Sequence, residues 1–296
     1  MRIVEILVSP LIALVVGILF LGISRKIMAR IHWRYGPPLL QPVIDIIRLF
    51  SQRSVSHGTI FNLGIILSLA GSIVVVLFLP IGRICPFESA GGLLVILYLM
   101  LFGPLGIALS GGEAANPNTS IGISRKLLLA VGYEVPLLFI LLAVMTRYDT
   151  ISLIGIVQEQ QNAGWSVVSL PLVLSGIAYL LILPAILGLR PFELVQAPQE
   201  IASGPMVEFG GQFLALATIQ HAFVLFIGIA LFVNLFLGGA GDPGTFVLKM
   251  LVVFLLSLFI NAAFPRFRIE QALKYLWRWP TLFAFVGLVI VVLTGR

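Results

Sequence analysis

Charge is scarce in this sequence. Only 10% of its 296 residues are charged and 59% are hydrophobic, whereas a soluble globular domain carries about 25% charged residues. So little charge cannot cover a surface that faces water on all sides. The mean hydropathy of +1.12 agrees with this. The composition therefore excludes a soluble domain and predicts a polytopic membrane protein.

Cysteine is almost absent, and this limits the chemistry of the chain. The single residue, Cys85, cannot form an internal disulfide or supply the four ligands of an iron–sulfur cluster. The sequence also contains no Walker loop and no CxxC pair. We therefore expect no cofactor, no metal site and no catalytic residue on this chain. Any redox chemistry would have to lie on partner chains.

Long hydrophobic runs dominate what is present. A membrane-spanning helix needs about 20 apolar residues, and eight runs approach or exceed that length. They predict an all-α protein with a single integral-membrane domain over residues 1–296. The last run is short unless Trp277 and Trp279 lie in the membrane interface, which tryptophan favours. The eight predicted spans are 3–24, 61–80, 92–110, 126–146, 168–189, 212–237, 245–264 and 280–294.

The basic residues predict the orientation of these spans. The pI is near 9.8, which in a membrane protein indicates basic cytoplasmic loops rather than a nucleic-acid partner. Thirteen of the 18 basic residues follow the odd-numbered spans. We therefore expect those loops in the cytoplasm, both termini on the outer side and the chain in the cell membrane. The thirteen are Arg25, Lys26, Arg30, Arg34, Arg48, Arg53, Arg125, Lys126, Arg190, Arg266, Arg268, Lys274 and Arg278.

The first of these loops contains an amphipathic pattern. Val43, Ile46, Ile47 and Phe50 recur at i, i+3, i+4 and i+7, which predicts a surface helix over about residues 42–53. Upstream, Lys26, Arg30 and Arg34 recur every four residues and would form one stripe if the first helix continued. For both features, two interpretations are open. The helix is either an ordinary surface helix or a lid or docking helix for a soluble partner. The basic stripe either contacts lipid at the membrane surface or docks a soluble subunit.

Three carboxylates lie in the loop Arg190–Gly211, between two apolar runs. Glu193, Glu200 and Glu208 are spaced seven and eight residues apart and have no histidine beside them, so a metal site is disfavoured. A solvated loop face is one interpretation. A proton antenna that feeds the helix bundle is the other.

Two further titratable residues lie inside predicted spans. Glu134 is nine residues beyond Arg125, or about 13 Å along a helix. A carboxylate at that depth must be protonated, paired or turned towards the bundle interior. It either joins helices by hydrogen bonding or relays protons. His221, in the sixth span, has the same two interpretations.

Five separated sequence blocks resemble those of a known family, the heel membrane subunit of the complex I superfamily. Its counterparts occur at the quinone site of respiratory complex I and in energy-converting membrane-bound nickel–iron hydrogenases and formate hydrogenlyase. Each block alone is weak, but the five in order are specific. They are Ser24-Arg25-Lys26 with Arg34-Tyr35-Gly36-Pro37, Gln41-Pro42, Asp45 and Arg48-Leu49; Ser124-Arg125-Lys126 with Tyr133-Glu134; Arg190-Pro191-Phe192-Glu193-Leu194; Glu200 through Gly204 to Glu208-Phe209-Gly210-Gly211; and Phe264-Pro265-Arg266-Phe267-Arg268.

The resemblance implies eight spanning helices plus one surface helix. It implies a proton-relay role for four acids, and we add His221 to that set. It also implies an interface with a hydrophilic redox arm at a group of charged residues, and antiporter-like subunits beside the chain in a hetero-oligomer with bound lipid. The four acids are Glu134, Glu193, Glu200 and Glu208. The resemblance implies that Arg25, Arg34 and Asp45 lie near this interface, and we add Lys26, Arg48, Arg125, Arg266 and Arg268 to the expected interface residues.

Departures from the complex I pattern favour the hydrogenase branch. Gln196, Pro198 and Gln199 stand where acids or serine are common in the quinone enzymes. Gln220 stands where complex I members often have glutamate, and the Gly36–Gln41 link is compact. We therefore expect an ion-translocating oxidoreductase of the nickel–iron hydrogenase type, with iron–sulfur clusters and a nickel–iron site on partner subunits. The alternatives are the quinone-site subunit of complex I, a sulfur-reducing relative and, more distantly, a stand-alone cation transporter.

Overall fold

The computed structural model describes residues 2–87, 92–114 and 116–294. Within those ranges the chain forms twelve α-helices, two short 3-10 turns and one isolated bridge between Ile81 and Ile84. The helices are α1 (Arg2–Ile31), α2 (Gln41–Phe50), α3 (Thr59–Phe78), α4 (Leu93–Met100), α5 (Phe102–Gly112), α6 (Pro117–Tyr148), α7 (Leu153–Ala163), α8 (Leu170–Leu187), α9 (Pro198–Ile201), α10 (Gly211–Phe236), α11 (Pro243–Ala263) and α12 (Ile269–Thr294).

The helices confirm an all-α polytopic membrane protein. In the described part of the chain, seven helical segments are long and apolar enough to cross a membrane: α1, α3, the α4–α5 pair, α6, α10, α11 and α12. The shorter apolar helix α8 corresponds to the fifth predicted span. The amphipathic surface helix is α2, which ends at Phe50 rather than at residue 53.

Some predicted boundaries were wrong. The third span, predicted as one helix over 92–110, consists of α4 and α5, which meet at Leu101. The fourth begins at Pro117 instead of residue 126. The eighth begins at Ile269 instead of residue 280, because Pro280 lies inside α12 and does not start it. Trp277 and Trp279 therefore belong to the helix itself.

Helix α10 forms the centre of the bundle. Its most apolar 18-residue stretch is 72% buried, whereas the corresponding figure for α1 is 39%. It packs against α1, α3, α8 and α11, while α6, α8 and α12 form a second packed group. The Tyr179 hydroxyl, on α8, donates a 2.8 Å hydrogen bond to the Gly228 carbonyl of α10. Residues of α10 are therefore placed to line internal space.

Helices α3 and α5 approach each other closely through small residues. A Cβ atom on Gly106 would lie 2.5 Å from the Gly64 carbonyl oxygen and 2.5 Å from the Ser68 nitrogen. Small residues at such a contact let two backbones approach, which is a common basis of helix association in membranes. The Ser68 hydroxyl adds a 2.9 Å hydrogen bond to the Gly103 carbonyl.

A helix that the sequence did not predict, α7, closes one end of α10. The buried Gln160 side chain donates to the carbonyls of Asn234 and Leu235, at 3.1 and 2.9 Å, and accepts from the Gly238 nitrogen at 2.9 Å. The Lys249 ammonium donates to the carbonyls of Leu237 and Gly239. These contacts satisfy carbonyls that a helix leaves unpaired at its C-terminus, where a cation is also favourable.

Candidate functional site

The acidic loop lies between α8 and α10 and is tied to the α11–α12 linker. The Arg190 backbone N–H donates to Asn261 Oδ1 at 3.0 Å. The Phe267 N–H donates to the Pro191 carbonyl at 2.9 Å. We call the end of the bundle that carries α2, this loop and the α11–α12 linker the basic end.

Two of the three loop acids share one ion-pair network. Glu193 Oε2 accepts from Arg190 Nε at 2.9 Å and from Arg266 Nη2 at 3.3 Å. Glu200 Oε2 accepts from Arg125 Nη1 at 2.8 Å, and its other oxygen lies 3.8 Å from Arg266 Nη1. We call these five side chains the arginine–glutamate network. It joins α6, the acidic loop and the α11–α12 linker.

Arg266 is the bridge of this network. Among the described residues it is the one side chain that forms ion pairs with both acids, and it is only 15% exposed, against 51% for Glu200. Its Nε atom is buried and has no hydrogen-bond acceptor among the described residues. Arg125 and Arg266 were predicted as interface residues and Glu193 and Glu200 as relay residues. The structure brings the two predicted groups together.

Lowering the pH should weaken the Arg125–Glu200 contact. The hydrogen bond from Arg125, with the charges of Arg266 and Arg268 nearby, holds the pKa of the Glu200 carboxyl below its usual range. Because the folded-state pKa is the lower one, the stabilisation is present above the ordinary value of about 4.3 and is lost as the pH falls through the folded value. The effect is small because Glu200 is half exposed.

The measurement is the difference in thermal midpoint between the wild type and Glu200→Gln. We expect a difference at pH 7 that disappears in acid. Glu270→Gln is the matched control, because Glu270 is exposed and forms no ion pair within the described chain. A Glu200→Gln difference that persisted unchanged into acid would contradict the ion pair.

Glu208, the third loop acid, belongs to a separate contact. Its Oε2 atom lies 3.1 Å from His57 Nε2, and its side chain is 16% exposed. The His57 ring packs edge-on against Phe61, which also contacts Phe209 and Phe213. Glu208 therefore lies outside the ion-pair network of the other two loop acids. Glu193 and Glu200 share a network, and Glu208 pairs with a histidine that sequence reasoning had left out.

The predicted interface residues of the first loop form a further contact. Arg25, near the end of α1, donates to Asp45 of α2 at 2.9 Å, and Gln41 donates to the other Asp45 oxygen at 2.8 Å. The hydrogen bond from Gln41 and then the contacts of Arg25 hold the pKa of the Asp45 carboxyl below its usual range. This bridge fixes α2 against the end of α1.

Other predicted interface residues have no ion pair within the described chain. Arg34, Arg48 and Arg268 are exposed, and Lys26 is partly buried. Helix α1 ends at Ile31, so Lys26 and Arg30 share a helix face but Arg34 lies beyond it. The conditional prediction of one continuous stripe therefore fails at Arg34.

Behind the network lies an internal cavity of about 130 Å³. Residues of α3, α5, α6, α8, α10 and the acidic loop line it. Its polar lining includes two predicted relay residues, Glu193 and His221, together with Lys126, Tyr133 and Gln220. Sequence reasoning treated Lys126 only as a cytoplasmic charge. The missed signal was its spacing from Leu129 and Tyr133, at i+3 and i+7, which places all three on one helix face.

Glu134 lies on α6 beside Tyr133 but does not line this cavity. Its side chain is partly buried. No residue of the described chain donates it a hydrogen bond or forms an ion pair with it. The structure therefore places no helix-joining hydrogen bond at Glu134 and leaves its carboxyl available for other chemistry.

Metal binding finds no support in the part of the chain that the structure covers. Over residues 2–87, 92–114 and 116–294, no group of three or more His, Cys, Asp or Glu side chains could hold a metal ion. The loop acids are instead occupied by arginine and histidine side chains.

Fold and site together define a multi-pass membrane protein with a charged loop network at one end and a polar cavity behind it. The chain matches the NADH dehydrogenase family over residues 4–292. Because this match covers nearly the whole sequence, the chain belongs to that family. The resemblance drawn from the five sequence blocks is confirmed.

Similar proteins come from several kinds of complex. Hydrogenase-4 component C of Escherichia coli (strain K12) is 32% identical over 238 residues, covering 78% of this chain and 74% of the relative. A subunit of the NADH-quinone oxidoreductase of Paraburkholderia xenovorans (strain LB400) is 29% identical over 317 residues, covering 97% and 89%. A chain in the structure of the membrane-bound sulfane sulfur reductase, an archaeal respiratory membrane complex, superimposes with a TM-score of 0.95 at 39% identity, covering 98% and 99%.

Proposed function

We propose that this chain is the membrane-anchoring and coupling subunit of an ion-translocating oxidoreductase complex. The observation that carries the proposal is the arginine–glutamate network, which lies between the surface of the basic end and a polar cavity inside the bundle. A change of charge above the network can therefore alter the electrostatic environment of Glu193, the acid of the network that borders the cavity. Glu134, deeper on α6, is the proposed exit towards neighbouring membrane subunits.

A single charge in a docked redox arm is large enough to change the protonation of a carboxylate in the network. One elementary charge about 10 Å from a carboxylate, at an effective dielectric constant of about 20, changes its ionisation free energy by about 1.7 kcal/mol. That corresponds to more than a tenfold change in the protonation equilibrium. Glu193 and Glu200 share Arg266, so a change of charge at one acid alters the electrostatic environment of the other. Reduction of a partner's redox centre would load or release protons there.

The partners follow from the same assignment. The hydrophilic redox arm, with hydrogenase-type large and small subunits, would dock on the basic end, and antiporter-like subunits would lie beside the bundle. Iron–sulfur clusters and a nickel–iron site would belong to the arm. With the basic end in the cytoplasm, both termini face outward across the cell membrane.

The docking surface is built from the first loop. Trp33 is 99% exposed, Tyr35 is 83% exposed, and the Arg30 guanidinium lies 5.0 Å from the Tyr35 ring centroid. Exposed aromatic and arginine side chains are typical of the residues that dominate binding energy at protein interfaces. Arg34 lies between the two aromatic residues and is exposed.

Reversing the charge of Arg34 should release the arm. Arg34→Glu replaces an attraction with a repulsion at the centre of the docking surface, so we expect less than about a tenth of the arm to stay on washed membranes. The measurement is immunoblotting of arm subunits in the membrane and soluble fractions. Arg83→Glu is the control, because Arg83 is equally exposed at the opposite end. An arm that stays bound after Arg34→Glu removes the docking role.

The nickel–iron hydrogenase type is our first candidate for the complex. It is supported by the 32% identity to hydrogenase-4 component C and by glutamine at positions 196, 199 and 220 in place of acids. A sulfur-reducing complex is the second candidate, favoured by the 39% identity to the sulfane sulfur reductase chain. The quinone-site subunit of complex I has the weaker support of 29% identity.

Assays of the purified complex separate these candidates. Hydrogen evolution with a low-potential reductant supports the first. Sulfide formation from a sulfane sulfur compound, without hydrogen evolution, supports the second. Quinone reduction as the sole activity would overturn both and leave the complex I subunit.

A further inference from the structure

Lys126 is a lysine that lines the cavity and has no acidic partner of its own among the described residues. It lies on α6, is partly buried and lines the cavity together with Leu129 and Tyr133. No hydrogen bond or ion pair joins it to any residue that the structure describes. Its neighbour in sequence, Arg125, is held by Glu200 at 2.8 Å. The two adjacent basic residues therefore have different environments, one in the network and one in the cavity.

The described lining of the cavity offers Lys126 no acid that is free of other ion pairs. Glu193 lines the cavity, but its Oε2 atom already accepts from Arg190 and Arg266. The other polar side chains of the lining are those of Ser72, Tyr133, Gln196, Gln220 and His221. Gln220 is 3% exposed, and its Nε2 donor has no acceptor among the described residues.

These unpaired groups require water. A buried donor without an acceptor costs about 1–3 kcal/mol, and a polar cavity of this kind is filled by ordered water that bonds to two to four groups. The cavity volume of about 130 Å³ holds several water molecules. Lys126, Glu193 and His221 would then be connected through hydrogen-bonded water.

We propose that the Lys126 amine is a proton-carrying residue between Glu193, at the mouth of the cavity, and Glu134, deeper on α6. This inference rests on the proposed coupling function. In the loading step a protonated Glu193 loses its O–H proton through water, the neutral Lys126 amine gains an N–H bond, and carboxylate and ammonium result. In the unloading step the ammonium gives up that proton through water, and the Glu134 carboxylate becomes a carboxylic acid.

The positions of Lys126 and Glu134 on α6 agree with transfer from Lys126 to Glu134. Lys126 and Glu134 are eight residues apart, or about 12 Å along the helix, which excludes direct contact. Because Glu134 does not line the cavity, the unloading step requires water between the cavity and Glu134. Arg25 on α1 and His221 on α10 are the other groups that bear on this region. A lysine amine binds and releases a proton, whereas an arginine guanidinium stays charged. A proton-carrying role therefore predicts that both Lys126→Met and Lys126→Arg stop pumping. If Lys126 were only a structural cation, Lys126→Arg would keep pumping.

The test compares Lys126→Met, Lys126→Arg and Lys274→Met in the intact complex, reconstituted in liposomes. Lys274 is an exposed basic residue near the start of α12 and is the control. The readouts are ions moved per electron, the rate of electron transfer, and arm subunits recovered with the complex. We expect Lys126→Met and Lys126→Arg each to lower the ion-to-electron ratio at least about tenfold, with arm content and electron transfer retained. Lys274→Met should match the wild type.

Several results would overturn the proposal. Full pumping by Lys126→Met removes the proton-carrying role, and full pumping by Lys126→Arg shows that only a fixed charge is needed. If Lys126→Met does not assemble, Lys126→Gln replaces it in the test, because glutamine keeps a polar group for the cavity water. Normal pumping by Lys126→Gln would also overturn the proposal. If Glu134→Gln stops pumping and Lys126→Met does not, this inference fails alone. If neither variant matters, the coupling function fails with it.

Discussion

A complex that carries Glu134→Gln should transfer electrons and build no ion gradient. Glutamine preserves the shape and polarity of the side chain but cannot exchange a proton. Because Glu134 has no ion pair or hydrogen bond within the described chain, the substitution breaks no contact that holds the bundle together. We expect the ion-to-electron ratio to fall at least about tenfold, while electron transfer in detergent stays near the wild-type rate.

The measurement uses purified complex in liposomes with an ion-sensitive dye, alongside a spectroscopic assay of the redox reaction. Glu270→Gln is the matched control, since it makes the same chemical change at an exposed position of α12. Glu134→Asp should restore part of the pumping, because it retains a titratable carboxyl on a shorter side chain. Undiminished pumping by Glu134→Gln would refute the relay role of this residue.

Substitution of Arg266 should destabilise the protein more than any other single change in the loop network. Arg266→Met leaves Glu193 and Glu200 without their common cation, and both acids then repel each other and retain only Arg190 and Arg125. Breaking a fully buried pair costs about 3–5 kcal/mol, and an exposed pair contributes about 0–1. Arg266 is mostly buried but its partners are not, so we expect a loss of about 1–3 kcal/mol.

Thermal unfolding of the chain in detergent measures this loss. Arg268→Met is the control, because Arg268 is exposed two residues away and has no ion pair within the described residues. Arg266→Lys should recover only part of the stability, since an ammonium cannot span two carboxylates as a guanidinium does. An Arg266→Met protein as stable as the control would show that the bridge is incidental.

The hydrophobic runs predicted the membrane helices because a span needs a length of apolar residues that few other structures contain. The same criterion missed α7, which is short and carries Gln158, Glu159, Gln160 and Gln161. What stabilises α7 is the contact of Gln160 with α10 residues more than 70 positions away. The start of α12 was misplaced for a local reason, since its first turns carry Glu270, Lys274 and Arg278 and do not belong to an apolar run.

The site was predicted in part. Acids in a loop between two spans, with arginines in neighbouring loops, can be recognised from sequence, and so can the depth of Glu134. Which arginine pairs with which acid cannot be recognised from sequence. Arg266 meets Glu193 across 73 positions and Arg125 meets Glu200 across 75, and nothing local selects these partners over Arg268 or Lys126. Lys126 was overlooked because its environment is created by α10 and the acidic loop, which lie far from it in sequence.

Purification of the intact complex from its own membranes, followed by reconstitution in liposomes, is the most direct test of the coupling role. We predict that a tag on this chain recovers iron–sulfur and catalytic subunits together with antiporter-like membrane subunits. Addition of reductant and electron acceptor should then drive ion uptake, which should stop when either is withheld. A chain that purifies alone and moves ions at the same rate without reductant would contradict the coupling role and identify a self-contained transporter.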